Sequence, residues 1–430
     1  MKEQLIKTKI DLGGKRMKRV IALLLVSALS IGLFGGCGSK DETATSTVET
    51  SVPTKKSKVD ILYYWENKDQ QKILTDIINN YNGSQAEVEV ASEYVPFADF
   101  KKQLSIGIAA SELPDLVLID NPDHAAYAAM GLFADITAQF ADLKDQYFDG
   151  PWKSCTLDGK LYGIPFGSND LALFYNKDMF AKAGITTPPT TWDELRADAK
   201  KLTGNGVTGF GVSAVKTEEG TFQFLPFVGS TGGSMDKIGN AEGIKALQFY
   251  ADLIKDGSMS KEVMNWVQSD LLKQFQAGKV AMMVNGPWQV PTLKADSPDL
   301  KWDVCLIPKD AQYSSVLGGE NWGVVNGDSV DATCKFLKYV VSDEVLTTYI
   351  DKFGYFPSKK TLAADKKYTD DPVYKVFVEE LKYAQPRGPI AKWPELSNVI
   401  SATLQEVITG GKTPEVAAKD AQAQLNGILK

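Results

Sequence analysis

Histidine is nearly missing: there is one in 430 residues. A Ser-His-Asp or Cys-His nucleophilic site would have to be built around His124, and a histidine-rich metal site cannot be built at all. His124 stands in DNPDHAAYAAMG, where a helix start is expected, and a solvated or capping role suits it there. Cysteine is scarce as well, and no pair among the four has the spacing of a metal clip. Cys155, Cys305 and Cys334 fit either one disulfide with a spare thiol or three free thiols acting as small apolar residues. Positive charge is in deficit, with 47 Lys and Arg against 54 Asp and Glu and no basic stripe. Nucleic acid, whose binding needs clustered cations, is excluded as a partner. The phosphate loop G-x-x-x-x-G-K-[ST] is missing, so an ATP-driven step would belong to another polypeptide. Gly204, Gly206 and Gly209 match G-x-G-x-x-G in letters only. They follow a helix, whereas a dinucleotide loop joins a strand to a helix N-terminus, so a helix stop and a turn are expected. No cofactor is implied.

What is there begins with an oily run over residues 20–34, preceded by Lys15, Arg16, Lys18 and Arg19. It is shorter than the ~20 residues a spanning helix needs, and charge, oil, then small residues is the order of a secretion signal. Gly35 and Gly36 follow, then Cys37. This resembles the lipobox of bacterial lipoproteins, in which the cysteine becomes the first mature residue and carries lipid. Phe34 and Gly35 stand where that pattern more often has Leu and Ala or Ser. An ordinary signal peptide is the alternative. Met17 opens a complete signal by itself, so translation from Met1 or from Met17 both fit. Residues 38–58 hold almost no large apolar side chain and many Ser and Thr, so they cannot offset their ordering entropy and read as a tether. The expectation is a signal over 1–36, a lipid-anchored tether over 37–58, and a body outside the cytoplasmic membrane, attached through the lipid alone.

The body, about 370 residues, is long for one core. Val59, Ile61 and Tyr63 alternate as in a strand; Ile73, Leu74, Ile77, Ile78 and Tyr81 recur at helical spacing. AEVEVAS is a second strand, a helix runs through Phe100, Leu104 and Ile108, and PDLVLIDN is a continuously apolar third strand. Strand, helix, strand, helix, strand implies an α/β domain with a largely parallel sheet. The pattern restarts at LALFYN. TTWDELRADAKKLTG carries a capping box at Thr191 and Glu194, KVAMMVNGPW is a strand entering a turn, NWGVVN a strand, and DATCKFLKYVVSDEVLTTYI helical.

Ligands of open α/β sheets bind beyond the carboxyl ends of strands. Those positions hold Trp65, Glu66 and Asn67; Asp120, Asn121 and Asp123; Ser168, Asn169 and Asp170; and Trp288. Glu320, Asn321 and Trp322 stand before a strand, and Arg387 and Trp393 come late. Aromatics beside amides and acids suit a sugar: flat rings for its C–H faces, planar donors and acceptors for its hydroxyls.

PDLVLIDN, GKLYGIPFGSNDLALFYNKD, PPTTWDEL, FQAGKVAMMVNGPW and FGYFPSKK, in this order, resemble the sugar-binding group of bacterial extracellular solute-binding proteins, the maltose-binding type. The resemblance implies an α/β, two-lobe periplasmic-binding-protein-like fold. Each lobe is a mixed, mostly parallel sheet flanked by helices, and a three-segment hinge joins them near 166–171, 318–322 and 354–358. Lobe 1 would comprise 59–167 and 322–356, lobe 2 168–321 and 357–430. It also implies a monomer that captures an oligosaccharide between its lobes and delivers it to the transmembrane subunits of an ATP-binding-cassette permease. Trp288 falls at a sugar-stacking tryptophan of the family, Asn169 at a ligand-contacting acid, and 120–123 at another polar contact. A late stacking aromatic is replaced by an aliphatic near Ile400, which points away from maltose and toward Trp65 or Trp393 as a platform. The alternatives are the same fold holding glycerol phosphate, a polyol or a metal complex, a surface glycosidase built on two carboxylates, and a purely adhesive protein.

Overall fold

Strand β1, Ser57–Tyr63, buries Val59, Ile61 and Tyr63, the residues whose alternation predicts it. The computed structural model describes residues 56–430; the expected lipidation site Cys37, the signal and nearly all of the tether lie outside them. Asn67 caps helix α1, Lys68–Ser84, by accepting from the Asp69 amide, and α1 lays Ile73, Leu74, Ile77, Ile78 and Tyr81 on the sheet. β2, Val88–Tyr94, pairs parallel to β1. Helix α2, Phe97–Ala110, buries Phe100 and Leu104 and returns the chain to β3, Leu116–Asp120, buried throughout and also parallel to β1. Helix α3, Asn121–Ala129, follows without a break.

A small hairpin, β4 (Thr156–Leu157) and β5 (Lys160–Leu161), precedes β6 (Gly163–Asn169) and β7 (Ala172–Asn176). The remaining strands are β8 (Thr208–Gly211), β9 (Val280–Asn285), β10 (Trp302–Cys305), β11 (Ser315–Val324), β12 (Phe356–Pro357) and β13 (Ala384–Pro386). One sheet runs β12-β6-β11-β3-β1-β2 with β13 beside β11, and a second runs β10-β7-β9-β8. The fold is the two-lobe arrangement. Parallel pairing holds for β2-β1-β3, β8-β9 and β11-β13, while β11, β6 and β12 pair antiparallel with their other neighbours. β11 enters from the other lobe and so runs against the opening β-α-β-α-β unit, while β6, antiparallel to β11, runs with it.

Three crossings between lobes lie side by side. Gly318, Gly319 and Glu320 pair with Asn169, Ser168 and Gly167, while Phe356 and Pro357 pair with Ser168 and Gly167. The Ser168 and Ser358 hydroxyls meet at 3.1 Å. Gly319 adopts φ +139, and a Cβ there would lie 2.2 Å from the Gly167 carbonyl oxygen, so only glycine lets these strands approach. One hydrophobic core draws on residues 59–166 and 322–355. A second draws on 171–316 and 393–425, and a third on 172–304 and 356–377.

Some local expectations change. His124 is neither solvated nor a cap: it is buried on α3 with its ring 4.7 Å from that of Phe133, and burial lowers its pKa to about 3, leaving it neutral. The single helix expected after Asp331 is two, Val330–Val340 and Asp343–Tyr349, because Ser342 caps the second. The capping box of Thr191 and Glu194 starts Trp192–Leu202 as expected. Gly204 and Val207 exchange backbone hydrogen bonds, which makes GNGVTG a tight turn. Cys155, Cys305 and Cys334 are free thiols. Among the described residues no helix is long and apolar enough to cross a membrane.

Candidate functional site: a cleft between the lobes

The sequence places its strand ends at the hinge, and a cavity of about 560 Å³ opens there. Trp65, Glu66 and Asn67 leave β1, Asp120 ends β3, Asn169 ends β6, and Glu320 lies in β11; all line it. From the other lobe come Glu218, Glu219 and Phe222 at the start of helix Glu218–Ser230, Ser269 at the start of Gln268–Gln276, and Trp288 beyond β9. Arg387, just after β13, completes one wall.

Trp288 is partly exposed and packs against the cores of both lobes. Its ring lies over Gly286, where an added Cβ would come within 1.8 Å of a ring carbon. The Phe222 ring stands 6.3 Å away at 35°, so two aromatic faces border the cavity. Trp65 is held differently: its indole N–H donates to the Tyr355 hydroxyl at 3.1 Å, and its ring is wedged 4.4 Å from that of Phe353.

Arg387 is buried and fully engaged. Nη1 donates to Asp120 at 2.6 Å and to Glu218 at 2.8 Å, Nη2 to Asp120 at 2.6 Å and Asn121 at 3.2 Å. The Phe222 ring lies 4.4 Å from the guanidinium carbon. Burial opposes its charge, but Asp120 and Glu218 outweigh burial and raise its pKa. Glu320 has no cation bound to it: the Tyr355 hydroxyl reaches its carboxyl group, and its Oε2 is buried without a hydrogen bond. Burial first, then the Asp120 charge, pushes its pKa up to about 8. Glu219 accepts from the Gln268 amide at 2.8 Å and the Ser213 hydroxyl at 3.3 Å, yet burial pushes it up to about 7. Besides the bonds of Arg387 to Asp120 and Asn121, Ser269 Oγ donates to Glu66 at 3.0 Å and Asn67 Nδ2 to Thr292 Oγ1 at 2.5 Å across the cleft.

Of the residues expected at the site, Trp65, Glu66, Asn67, Asp120, Asn169, Trp288, Glu320 and Arg387 line the cavity. The others do not. Asn121 supports Arg387 from behind, and Asp123 pairs with Lys101 at 2.7 Å. Ser168 is turned to Ser358, Asp170 is fully buried with both carboxyl oxygens unpaired, and Asn321 exchanges hydrogen bonds with Ser154. Trp322 lies two residues deeper in the sheet, beneath Trp65 with ring centres 5.9 Å apart, and is wholly buried. Trp393 is buried in the second core and donates its indole N–H to Glu218 at 3.0 Å. Neither tryptophan is a platform, because both faces are covered by protein. Glu218, Glu219, Phe222, Ser269 and Tyr355 also line the cavity without standing at strand ends; most of them sit at helix starts. The pair EE before a helix was the available signal. Among the described residues no group of three or more His, Cys, Asp or Glu is arranged to hold a metal ion.

The profile described as bacterial extracellular solute-binding protein matches residues 76–376. The chain belongs to that family. It is similar to the galactooligosaccharide-binding protein of Bacillus subtilis, 23% identical, covering 97% of this chain and 98% of that one. Among solved structures it is similar to an ABC-transporter solute-binding protein of Thermotoga lettingae bound with α-D-tagatose, at TM-score 0.82 and 28% identity, covering 87% of this chain and all of the other. Maltose-bound MalE3 of T. maritima gives TM-score 0.80 at 25% identity, covering 86% of this chain and all of the other. The fold is thus that of sugar-binding proteins of ABC transporters.

Proposed function

We propose that this protein captures an oligosaccharide in the cleft and delivers it to an ATP-binding-cassette permease, acting as a lipid-anchored monomer on the outer face of the cell membrane. The observation that carries this reading is Trp288, an aromatic face in contact with both cores, flanked by amides and carboxyls from both lobes. A solute held there touches both lobes at once and so favours the closed form by its differential affinity. We place the lobe boundaries at 167/168, 321/322 and 356/357, where the chain crosses, and lipid on Cys37. The glycerol-phosphate alternative loses ground, because the one guanidinium in the wall is already bound to two carboxylates.

The test is a thermal-shift screen against oligosaccharides, because a ligand that binds only the folded state raises its melting temperature. A hit should also shrink the radius of gyration in X-ray scattering. Shorter sugar products during incubation would replace this function with hydrolysis, and no hit across the panel would remove the oligosaccharide.

A further inference from the structure

Five carboxyl groups from both lobes line the inner cavity, Glu66, Asp120, Glu218, Glu219 and Glu320, against one cation, Arg387. Asp120 and Glu218 take up the guanidinium between them. Lys68 and Lys273, the other lining cations, are exposed at the rim, and Lys273 is paired with Asp270. Glu66 and Glu219 both line the cavity, and only neutral donors hydrogen-bond them: Ser269 to Glu66, and Ser213 and the Gln268 backbone amide to Glu219. Glu320 is 9% exposed, and its Oε2 is without any partner. A buried carboxyl oxygen left unpaired costs free energy, and a donor arriving with the solute removes that cost.

We infer that the solute of this cleft is an oligosaccharide bearing a basic nitrogen, whose ammonium group is received by Glu320 and by the Glu66–Glu219 pair, and that sugars carrying carboxylate or phosphate are rejected. This rests on the oligosaccharide reading and narrows it. A cation supplies both the missing donor and the missing positive charge, whereas a neutral hydroxyl supplies the donor alone. An anion would find no free cation in the inner cavity, because Arg387 is already bound to Asp120 and Glu218, and it would add negative charge beside these carboxyl groups.

The charge balance gives a signature that a neutral ligand lacks. In the free protein Glu320 feels Asp120, Arg387, Tyr64 and Tyr355, and Glu219 feels Glu66 and Asp270. Burial pushes Glu320 to about 8 and Glu219 to about 7, so both hold protons at neutral pH or just below. An ammonium beside a carboxyl lowers its pKa, so binding expels a proton, and affinity must rise with pH until the free-state pKa is reached.

The experiment is titration calorimetry of the whole protein with neutral disaccharides of several linkages, their amino-sugar counterparts, the N-acetylated forms of these, and the matching uronic acids. The expected result is that an amino disaccharide binds at least about tenfold more tightly near pH 7 than its neutral and N-acetylated forms, and that its affinity alone falls at least about tenfold on going to pH 5. Uronic acids should not bind. Glu320→Gln, with its folding checked by melting, should shrink the amine-to-neutral ratio at least about fivefold. Neutral sugars that bind as tightly as amino sugars, or with the same pH profile, overturn this inference and leave the oligosaccharide reading standing. Failure of every sugar to bind overturns both. The pH series on the unaltered protein decides the matter even if the variant does not fold.

Discussion

Arg387 donates one hydrogen bond to each carboxylate oxygen of Asp120, both at 2.6 Å, in a two-pronged pair. Asp120 ends a strand of the larger sheet, and Glu218, which the same guanidinium also reaches, opens a helix of the other lobe. Arg387 is therefore a strut across the hinge. A phosphate-seeking arginine would need free donors, and these are spent.

Removing the strut leaves two buried carboxylates facing each other. Arg387→Met should lower stability by about 3–5 kcal/mol, as breaking a buried ion pair does. Urea unfolding monitored by tryptophan fluorescence checks this. A loss below about 1 kcal/mol would mean that water replaces the guanidinium without cost.

Trp288 should behave in the opposite way. Trp288→Ala is expected to weaken binding of the cognate sugar at least tenfold, about 1.4 kcal/mol, with the fold retained. Its side chain is partly exposed and lies at the margin of both cores. Unchanged affinity in calorimetry would remove it from the site.

The crossing at Gly354 is tightly constrained. It has φ +74, and a Cβ there would lie 2.6 Å from both the Pro287 carbonyl oxygen and the Trp288 Cα. Gly354→Ala should cost about 1–3 kcal/mol of stability through strain and displace Trp288, weakening ligand binding as well. Thermal melts and titration of the same sample check both effects.

Stability should depend on pH through Glu320 and Glu219. Their folded-state pKa values, about 8 and about 7, lie above the unfolded value near 4.5. The folded state thus binds the extra protons. Their contribution is complete below the unfolded value and is lost as pH rises through 7 and 8. The melting temperature of the ligand-free protein should fall over that range, and Glu320→Gln should flatten the fall. A curve with the same slope in wild type and variant would show that Glu320 is not the titrating group.

Much of this fold can be read in the chain because the chain is locally consistent. Val59, Ile61 and Tyr63 alternate, α1 repeats its apolar residues at helical spacing, and β3 is apolar from Leu116 to Ile119 because it is covered on both faces. β11 was only half visible. Its first part, SVLGGEN, has glycines and polar residues in place of β-formers, and it stays extended because β13, β3 and β6 hydrogen-bond along it.

The sequence by itself determined the two-lobe class, through its resemblance, and Trp288 as a ring in a turn; that its one histidine is buried against Phe133 was decided by the tertiary structure. Four tryptophans beside polar residues looked alike in the chain; only the tertiary structure separated Trp288, open to the cleft, and Trp65, wedged at its wall, from Trp322 and Trp393, which are covered on both faces. It alone also brought Glu218 and Glu219 opposite Asp120 and Glu66, and showed Arg387 already spent on its own carboxylates. Local spacing sets which face of an element a side chain occupies. What covers that face, and which distant charge it meets, is decided when the chain crosses between lobes.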